Sequence, residues 1–167
     1  MSLDGYIADA KGSVHWLEGD NSDPQAMGSY PEFIETIDTI IMGYTTYSQI
    51  TTELSPNNWV YSGKHTYVLT HHTCKNTAEI TFINIPVEKL LIELKKENGK
   101  DIWICGGASI IHPALSTHLV DEITISIIPI LLGNGIPLFD IRNSVQKLKL
   151  ITTRNYNGIV DLVYQTS

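Results

Sequence analysis

The chain is 167 residues long, 43% hydrophobic and 17% charged, which suits one compact domain, 1–167, with a sizeable core. Its formal net charge of −7 argues against a sequence-independent nucleic-acid surface, because that binding rests on clustered Lys and Arg, so any phosphate binding must be local. No apolar run approaches the ~20 residues that span a bilayer, and the start, MSLDGYIADAKG, lacks the basic end and apolar centre of a signal peptide; a cytoplasmic protein without a membrane partner is expected.

Residues 3–8 alternate and include Tyr6, which predicts a first strand with Asp4 and Gly5 in or beside it. A carboxylate next to glycine there marks either a bulge that aims the side chain into a cleft or a polar strand start. Residues 10–27 are polar, with Gly12, Gly19, Asp20, Asn21, Asp23 and Pro24, and predict a long loop of the kind that is either functional or disordered. His15, Trp16 and Leu17 form an apolar island inside it, so Trp16 either caps a cleft or anchors the loop to the core. Residues 31–38 predict a helix opening at Pro31 with a stripe of Phe33, Ile34 and Ile37. Glu32 and Glu35 share one flank of it; such glutamates are usually solvated, but at a cleft mouth one of them is a candidate acid.

Residues 39–42 predict a buried strand that ends in Gly43 before a helix from Thr45 towards Ile50. A third strand, 65–70, ends in the hydroxyl of Thr70, followed by His71 and His72. A fourth, 80–85, precedes a helix over 86–98 with Val87, Leu90, Leu91 and Leu94 on one side and Asn98-Gly99 at its end. The stretch 101–119 then organises the rest. Ile102, Trp103, Ile104 and Cys105 have the pattern of a central parallel strand, Gly106 and Gly107 free the backbone to turn, and a helix over roughly 108–119 opens with Ser109 in its first turn. Unpaired N–H groups and the peptide dipoles favour an anion at such a start, so phosphate or pyrophosphate is the first ligand to consider. A tight strand-to-helix joint with no ligand is the alternative.

Residues 120–130 predict a longer strand closed by 131–135, and 146–153 with 159–165 predict an antiparallel hairpin across Asn157-Gly158. Strands alternating with helices before a terminal hairpin imply a three-layer α/β domain with a mixed, mainly parallel sheet. Ligands of such sheets bind beyond the carboxyl ends of the strands, where Gly43, Thr70 and Gly106 all fall. No metal is expected: His71 and His72 point to opposite faces if they lie on a strand, His112 and His118 are six apart, and there is no HExxH. Cys74 and Cys105 lack CxxC spacing and read as buried free thiols. The apolar run IIPILLGNGIPLF within 120–139 is longer than a small monomer exposes comfortably, which predicts a homodimer through it or the adjoining strands.

Five segments in register, SLDGYIA (2–8), IIMGYTTY (40–47), YVLT (67–70), ICGGASI (104–110) and VDEITIS with LLGNGIPLF (120–139), resemble the dihydrofolate reductase-like superfamily. The closest branch is similar to the RibD C-terminal reductase domain and its small single-domain bacterial relatives. The resemblance covers nearly the whole chain and implies a reductase using NADPH, with a hydride passing to a pterin- or pyrimidine-type heterocycle such as dihydrofolate or a riboflavin-pathway ribosylaminouracil. Gly43, Thr45 and Thr46 match the family's G-R-x-T segment at the cofactor's phosphates, and Thr70 with His71 matches the pair beside the adenosine ribose and its 2′-phosphate. Gly106, Gly107, Ala108, Ser109 and Ile110 match the glycine turn and helix start under the pyrophosphate and nicotinamide. Asp4 matches the acidic residue near the substrate, Glu32 falls near the helix carrying the substrate carboxylate, with Glu35 as the alternative, and Trp16 is placed to close the cleft.

Three positions depart from the family. Tyr44 stands where an arginine is usual, and His71 stands where an arginine grips the 2′-phosphate; imidazole is a weaker, pH-dependent cation. Lys64 and His65 are the candidates to make good that charge. Cys105 precedes the double glycine where riboflavin-pathway reductases carry glutamate, and no zinc-ligand motif of a deaminase domain is present, which together count against the riboflavin intermediate as substrate. The alternative of a different class is a catalytically inactive nucleotide-binding or dimeric structural module.

Overall fold

The structure is a computed structural model that describes residues 1–23, 25, 26, 28–139 and 145–166. Its chain forms two compact units, Met1–Glu32 with Val120–Ser167, and Phe33–Leu119. Helix α1 (Tyr30–Thr36) carries the chain from the first into the second.

The second unit is built on four parallel strands, β2 (Ile37–Gly43), β3 (His65–Leu69), β4 (Ile80–Ile83) and β5 (Asp101–Gly106), in the order β4-β3-β2-β5. All four expected strands are present, but β2 rather than β5 has a neighbour on both sides, so the 101–106 strand closes this ladder instead of lying at its centre. The sequence explains the burial. Ile40, Ile41 and Met42 are successive apolar residues, so side chains pointing to both faces of β2 are enclosed, each contributing roughly 1.5–3 kcal/mol. Ile40 and Met42 join Val68, Ile80, Ile50 and Tyr61 in one cluster, packed against Phe33, Ile34, Tyr44 and Tyr47 from α1 and from α2 (Tyr44–Gln49). Ile41, between them, faces the other side. Helix α3 (Val87–Leu94) buries Val87, Leu90, Leu91 and Leu94, the stripe expected of it, and packs on α4 (Ala108–Leu115).

Several boundaries differ from expectation. Helix α1 ends at Thr36, whose hydroxyl bonds back to Phe33 O at 2.9 Å, and Ile37 and Asp38 belong to the strand: Ile37 is only 3% exposed and pairs with Asp101. Helix α2 begins at Tyr44 and runs on into a π-helical turn, Ile50–Leu54. Strand β4 stops at Ile83, and α3 ends at Leu94 with isolated turns beyond it. Helix α4 stops at Leu115, four residues short of the expected end, because the Thr117 hydroxyl takes Ala114 O at 2.6 Å and His118 adopts φ +56. His71 and His72 lie just past β3, not on it.

In the first unit, β6 (Glu122–Ile127), β9 (Ile159–Thr166) and β8 (Leu148–Tyr156) form an antiparallel sheet with β9 in the middle. The Asn157-Gly158 hairpin is as expected, with φ +51 and +76 at the two turn residues. The strand expected over 120–130 is shorter because Ile128 leaves β9 to pair with Ser2. Residues 2–5 form a turn, so the first strand, β1, is Tyr6–Asp9; it pairs with β7 (Gly135–Pro137), a strand too short to give a sequence signal. Residues 10–23 contain no helix or strand, and part of the expected loop, Pro24 and Met27, lies outside the described residues. The loop is nevertheless held: Asp20 N donates to Asn157 O at 2.9 Å, placing it against the hairpin turn.

Candidate active site

The carboxyl ends of the parallel strands place most of the candidate cofactor residues together. Met42 pairs with Gly106 and Gly43 with Leu69, so the turns after β2, β3 and β5 leave the sheet at one edge. The two glycine turns lie against each other. A β-carbon at Gly43 would come within 3.3 Å of Ile110 Cγ1, and one at Gly107 would lie 3.5 Å from Thr46 Oγ1. Gly106 has φ +132, a conformation L side chains rarely adopt, and its bond to Gly107 is cis. Gly43 and Gly107 cap α2 and α4, and neither cap has a side-chain hydrogen bond.

These two uncapped helix starts supply the donors a phosphate needs. The first amides of a helix have no partner within it, and here no cap side chain takes them. Ile110 N and Ile111 N both donate to Gly107 O, at 2.9 and 3.1 Å, which leaves the amides of Ala108 and Ser109 at the head of α4. Thr45 and Ser109 are exposed and Thr46 is half-buried, and all three lie in the first turns of these helices. The arrangement fits the phosphates of a dinucleotide through its main-chain donors. Thr70 follows β3, its amide bonded to Ile83 O at 2.9 Å and its hydroxyl accepting from His72 N at 3.0 Å; His71 is exposed. Tyr44 packs its ring on His72, with centroids 4.5 Å apart. Lys64 and His65 do not contribute here. Lys64 Nζ donates to Ile37 O at 2.8 Å, at the amino end of β2, and His65 begins β3, so both lie at the opposite end of the strands. The Cys105 thiol sits 3.7 Å from Tyr61 Oη in the aromatic core, and burial pushes its pKa up to about 11.

The three residues assigned to substrate lie in the first unit, each on a different anchor. Asp4 accepts from Ser2 Oγ at 2.7 Å, Leu132 N at 3.1 Å and Gly133 N at 2.7 Å, and these donors, the Ser2 hydroxyl first, hold its carboxyl below the usual range. Trp16 is half-buried and donates its ring N–H to Ser13 O at 3.1 Å. Glu32 is largely exposed and pairs with Arg154 Nη2 at 2.9 Å. Among the described residues no hydrogen bond joins any two of these three, and no group of three metal-ligating side chains is found. No helix among them is long and apolar enough to cross a membrane.

Sequence reasoning missed two features of this unit. Arg154, an ordinary charged residue of a hairpin strand, gave no sign that it pairs with Glu32. Asp161, 1% exposed on β9, receives the hydroxyls of Ser29, Ser126 (2.6 Å) and Tyr156 (3.3 Å), tying the segment before α1 to all three strands of the sheet. A carboxylate between Val160 and Leu162 was the available signal for it.

With strand order and the glycine edge established, the chain belongs to the RibD C-terminal domain family, whose pattern matches residues 1–162. Over 170 residues it is 38% identical to the uncharacterized protein YwjB of Bacillus subtilis (strain 168), covering 98% of this chain and 92% of that protein. Among solved structures, a Shewanella sp. PV-4 protein provisionally assigned to riboflavin biosynthesis superposes with TM-score 0.84 at 26% identity, over 100% of this chain and 95% of its own. The Thermotoga maritima diaminohydroxyphosphoribosylaminopyrimidine deaminase/5-amino-6-(5-phosphoribosylamino)uracil reductase shares the fold, with TM-score 0.70 at 15% identity, over 99% of this chain and 54% of that longer one.

Proposed function

We propose that this chain is an NADPH-dependent reductase that passes a hydride to a pterin- or pyrimidine-type heterocycle. The observation that carries the reading is the pairing of Met42 with Gly106, which sets two uncapped glycine turns side by side in a chain of net charge −7. Local main-chain donors are what such an acidic molecule has to offer a pyrophosphate.

The cofactor, when bound, supplies the hydride. The chain's residues bind and orient. The amides after Gly43 and Gly107, with the hydroxyls of Thr45, Thr46 and Ser109, hold phosphate oxygens; Gly106, Ala108 and Ile110 keep the turn close enough for them to reach. Tyr44, Thr70 and His71 hold the adenosine end. Glu32, fixed by Arg154, accepts from the amine and amide edge of the heterocycle, while Asp4 fixes the backbone at Leu132 and Gly133 and Trp16 excludes water. Family membership and the Shewanella relative support a substrate of the riboflavin-precursor class, whereas Cys105, a core thiol beside Tyr61, counts against identity with that substrate. The protein is taken to work in the cytoplasm as a homodimer.

The test is to mix the purified protein with NADPH and either dihydrofolate or a ribosylaminopyrimidine and follow the loss of reduced-nicotinamide absorbance. Turnover with either heterocycle supports the reading. One observation favours the inactive nucleotide-binding module instead: both candidate carboxylates already have protein partners, Asp4 at Ser2 and Glu32 at Arg154. NADPH binding without turnover on any flat heterocycle selects that module.

A further inference from the structure

Three Asn-Gly pairs occur in the chain, at 98–99, 134–135 and 157–158. Each carries a latent reaction, because a main-chain amide nitrogen can attack the side-chain carbonyl carbon of an asparagine before it, and glycine puts no side chain in the way. The structure restrains the three pairs unequally. Asn157 is half-buried at the hairpin turn: its φ is +51, its Oδ1 accepts from Asp23 N at 3.3 Å and its main-chain carbonyl accepts from Asp20 N at 2.9 Å. Gly19 packs so closely there that a β-carbon on it would lie 2.6 Å from Asn157 Nδ2, so both polar atoms of the side chain are engaged. Gly135 of the second pair belongs to β7, pairs with Asp9, and lies so near β1 that a β-carbon on it would collide with Ala8 O.

Asn98-Gly99 has none of these restraints. Both residues are exposed, they follow α3 in a stretch without helix or strand, and neither makes a hydrogen bond among the described residues. The attacking amide and its target are therefore free to meet. What comes next in the chain is held. Lys100 N donates to Asp38 Oδ2 at 2.7 Å, and Thr39 Oγ1 donates to Asp38 Oδ1 at 2.8 Å. Asp38 lies where the register of β2 against β5 shifts, between the pairs Ile37↔Asp101 and Thr39↔Ile102, so its carboxylate fixes the entry to β5. Gly99 rests against it, since a β-carbon on Gly99 would lie 2.7 Å from Asp38 Oδ2. Any lengthening of the main chain at 98–99 is thus passed to the Asp38 clamp.

We propose that Asn98 is the site at which this folded protein modifies itself, by deamidation, and that the change loosens the hold of Asp38 on the head of β5. Gly99 N bonds to Asn98 Cγ, its proton passes to the side-chain nitrogen, and that nitrogen leaves as ammonia, which gives a cyclic imide. Water then adds to one of the two imide carbonyl carbons and breaks its bond to nitrogen. One opening yields an aspartyl residue. The other yields an isoaspartyl residue, in which the main chain runs through the former side chain and is longer by one methylene. Either product adds a negative charge next to Gly99, the residue that touches the Asp38 carboxylate. The step needs water alone, with no oxidant and no second protein. It is independent of the reductase reading, because Asp101 pairs with Ile37 at the end of the strands opposite to Gly43 and Gly106.

The experiment is to hold the whole folded protein in mildly alkaline buffer, sample it over time and map proteolytic peptides by mass for the amide-to-acid gain, with a parallel sample unfolded in urea. In urea the three pairs should convert at rates within about threefold of one another; in the folded protein Asn98 should convert about tenfold faster than Asn134 and Asn157, which must first open locally. Asn98→Gln should remove the early conversion, with a melting curve to establish that the variant is folded. The converted fraction, separated by charge, should exchange the Lys100 amide about tenfold faster than the unconverted one. Conversion of Asn134 or Asn157 as fast as that of Asn98 in the folded protein overturns the site, as does an unreacted Asn98 while the urea sample reacts. A urea sample in which Asn98 is already favoured to the same degree overturns the structural account, since flanking sequence would then suffice. Unchanged exchange at Lys100 in the converted fraction overturns the effect on Asp38. None of these readouts involves cofactor binding, so the reductase reading stands or falls separately.

Discussion

The carboxylate of Asp4 accepts one hydroxyl and two amide protons, and these donors hold its pKa below the ordinary 3.8. Asp9, Asp20 and Asp38 are shifted the same way, chiefly by the Ser13 amide, by Ser22 and by the Lys100 amide. A carboxyl whose folded value is depressed stabilises the fold fully above its unfolded value, and that contribution is lost as the pH falls through the folded value. Stability is therefore predicted to decline from about pH 4 downward, and urea titrations of Asp4→Asn should show a shallower acid limb than the parent chain. An acid limb of unchanged slope would contradict the account of Asp4. The Asp4-Gly5 pair was legible as special, but its partners at Leu132 and Gly133 were not, because they lie 128 and 129 residues away. Glu32 was legible in the same limited sense, and its partner Arg154 is 122 residues distant.

Elements whose signals are local came through clearly. The short runs of β-branched, aromatic and other apolar residues in β2, β3 and β5 and the Asn157-Gly158 turn declare themselves within a few residues. That turn also meets a distant segment, since a β-carbon at Gly158 would lie 2.6 Å from the Asp20 carboxyl, and Gly158 itself has φ +76. Gly158→Ala is accordingly predicted to lower stability by about 1–3 kcal/mol, seen as a lower urea midpoint at unchanged slope. An unshifted midpoint would mean that the loop is not held against the hairpin. What the sequence could not reveal is non-local. The three-residue β7 pairs with β1, β5 has its neighbour on one side only among the described residues, and α4 stops where Thr117 and His118 redirect the chain.

At the scale of the whole molecule, family membership and fold agree with the resemblance carried by the five segments, while the departures at Tyr44, His71 and Cys105 define what is particular to this chain. Leu131 is 69% exposed, and Ile136 and Phe139 also reach solvent, as do Leu148, Leu150 and Ile151 on the edge strand β8. An exposed apolar edge of this kind is a template for association. Light scattering at micromolar concentration should return the mass of two chains; the mass of one chain would remove the homodimer proposal.

The central claim is that a reduced dinucleotide lies along the main-chain amides at the carboxyl edge of β2 and β5. Amide hydrogen exchange with and without saturating NADPH tests it directly. The account predicts slowed exchange at residues 44–46 and 107–110 and little change at the amino ends of the same strands, residues 37–39 and 65–67. Exchange unaltered at 44–46 and 107–110, with NADPH shown to be bound, would contradict it.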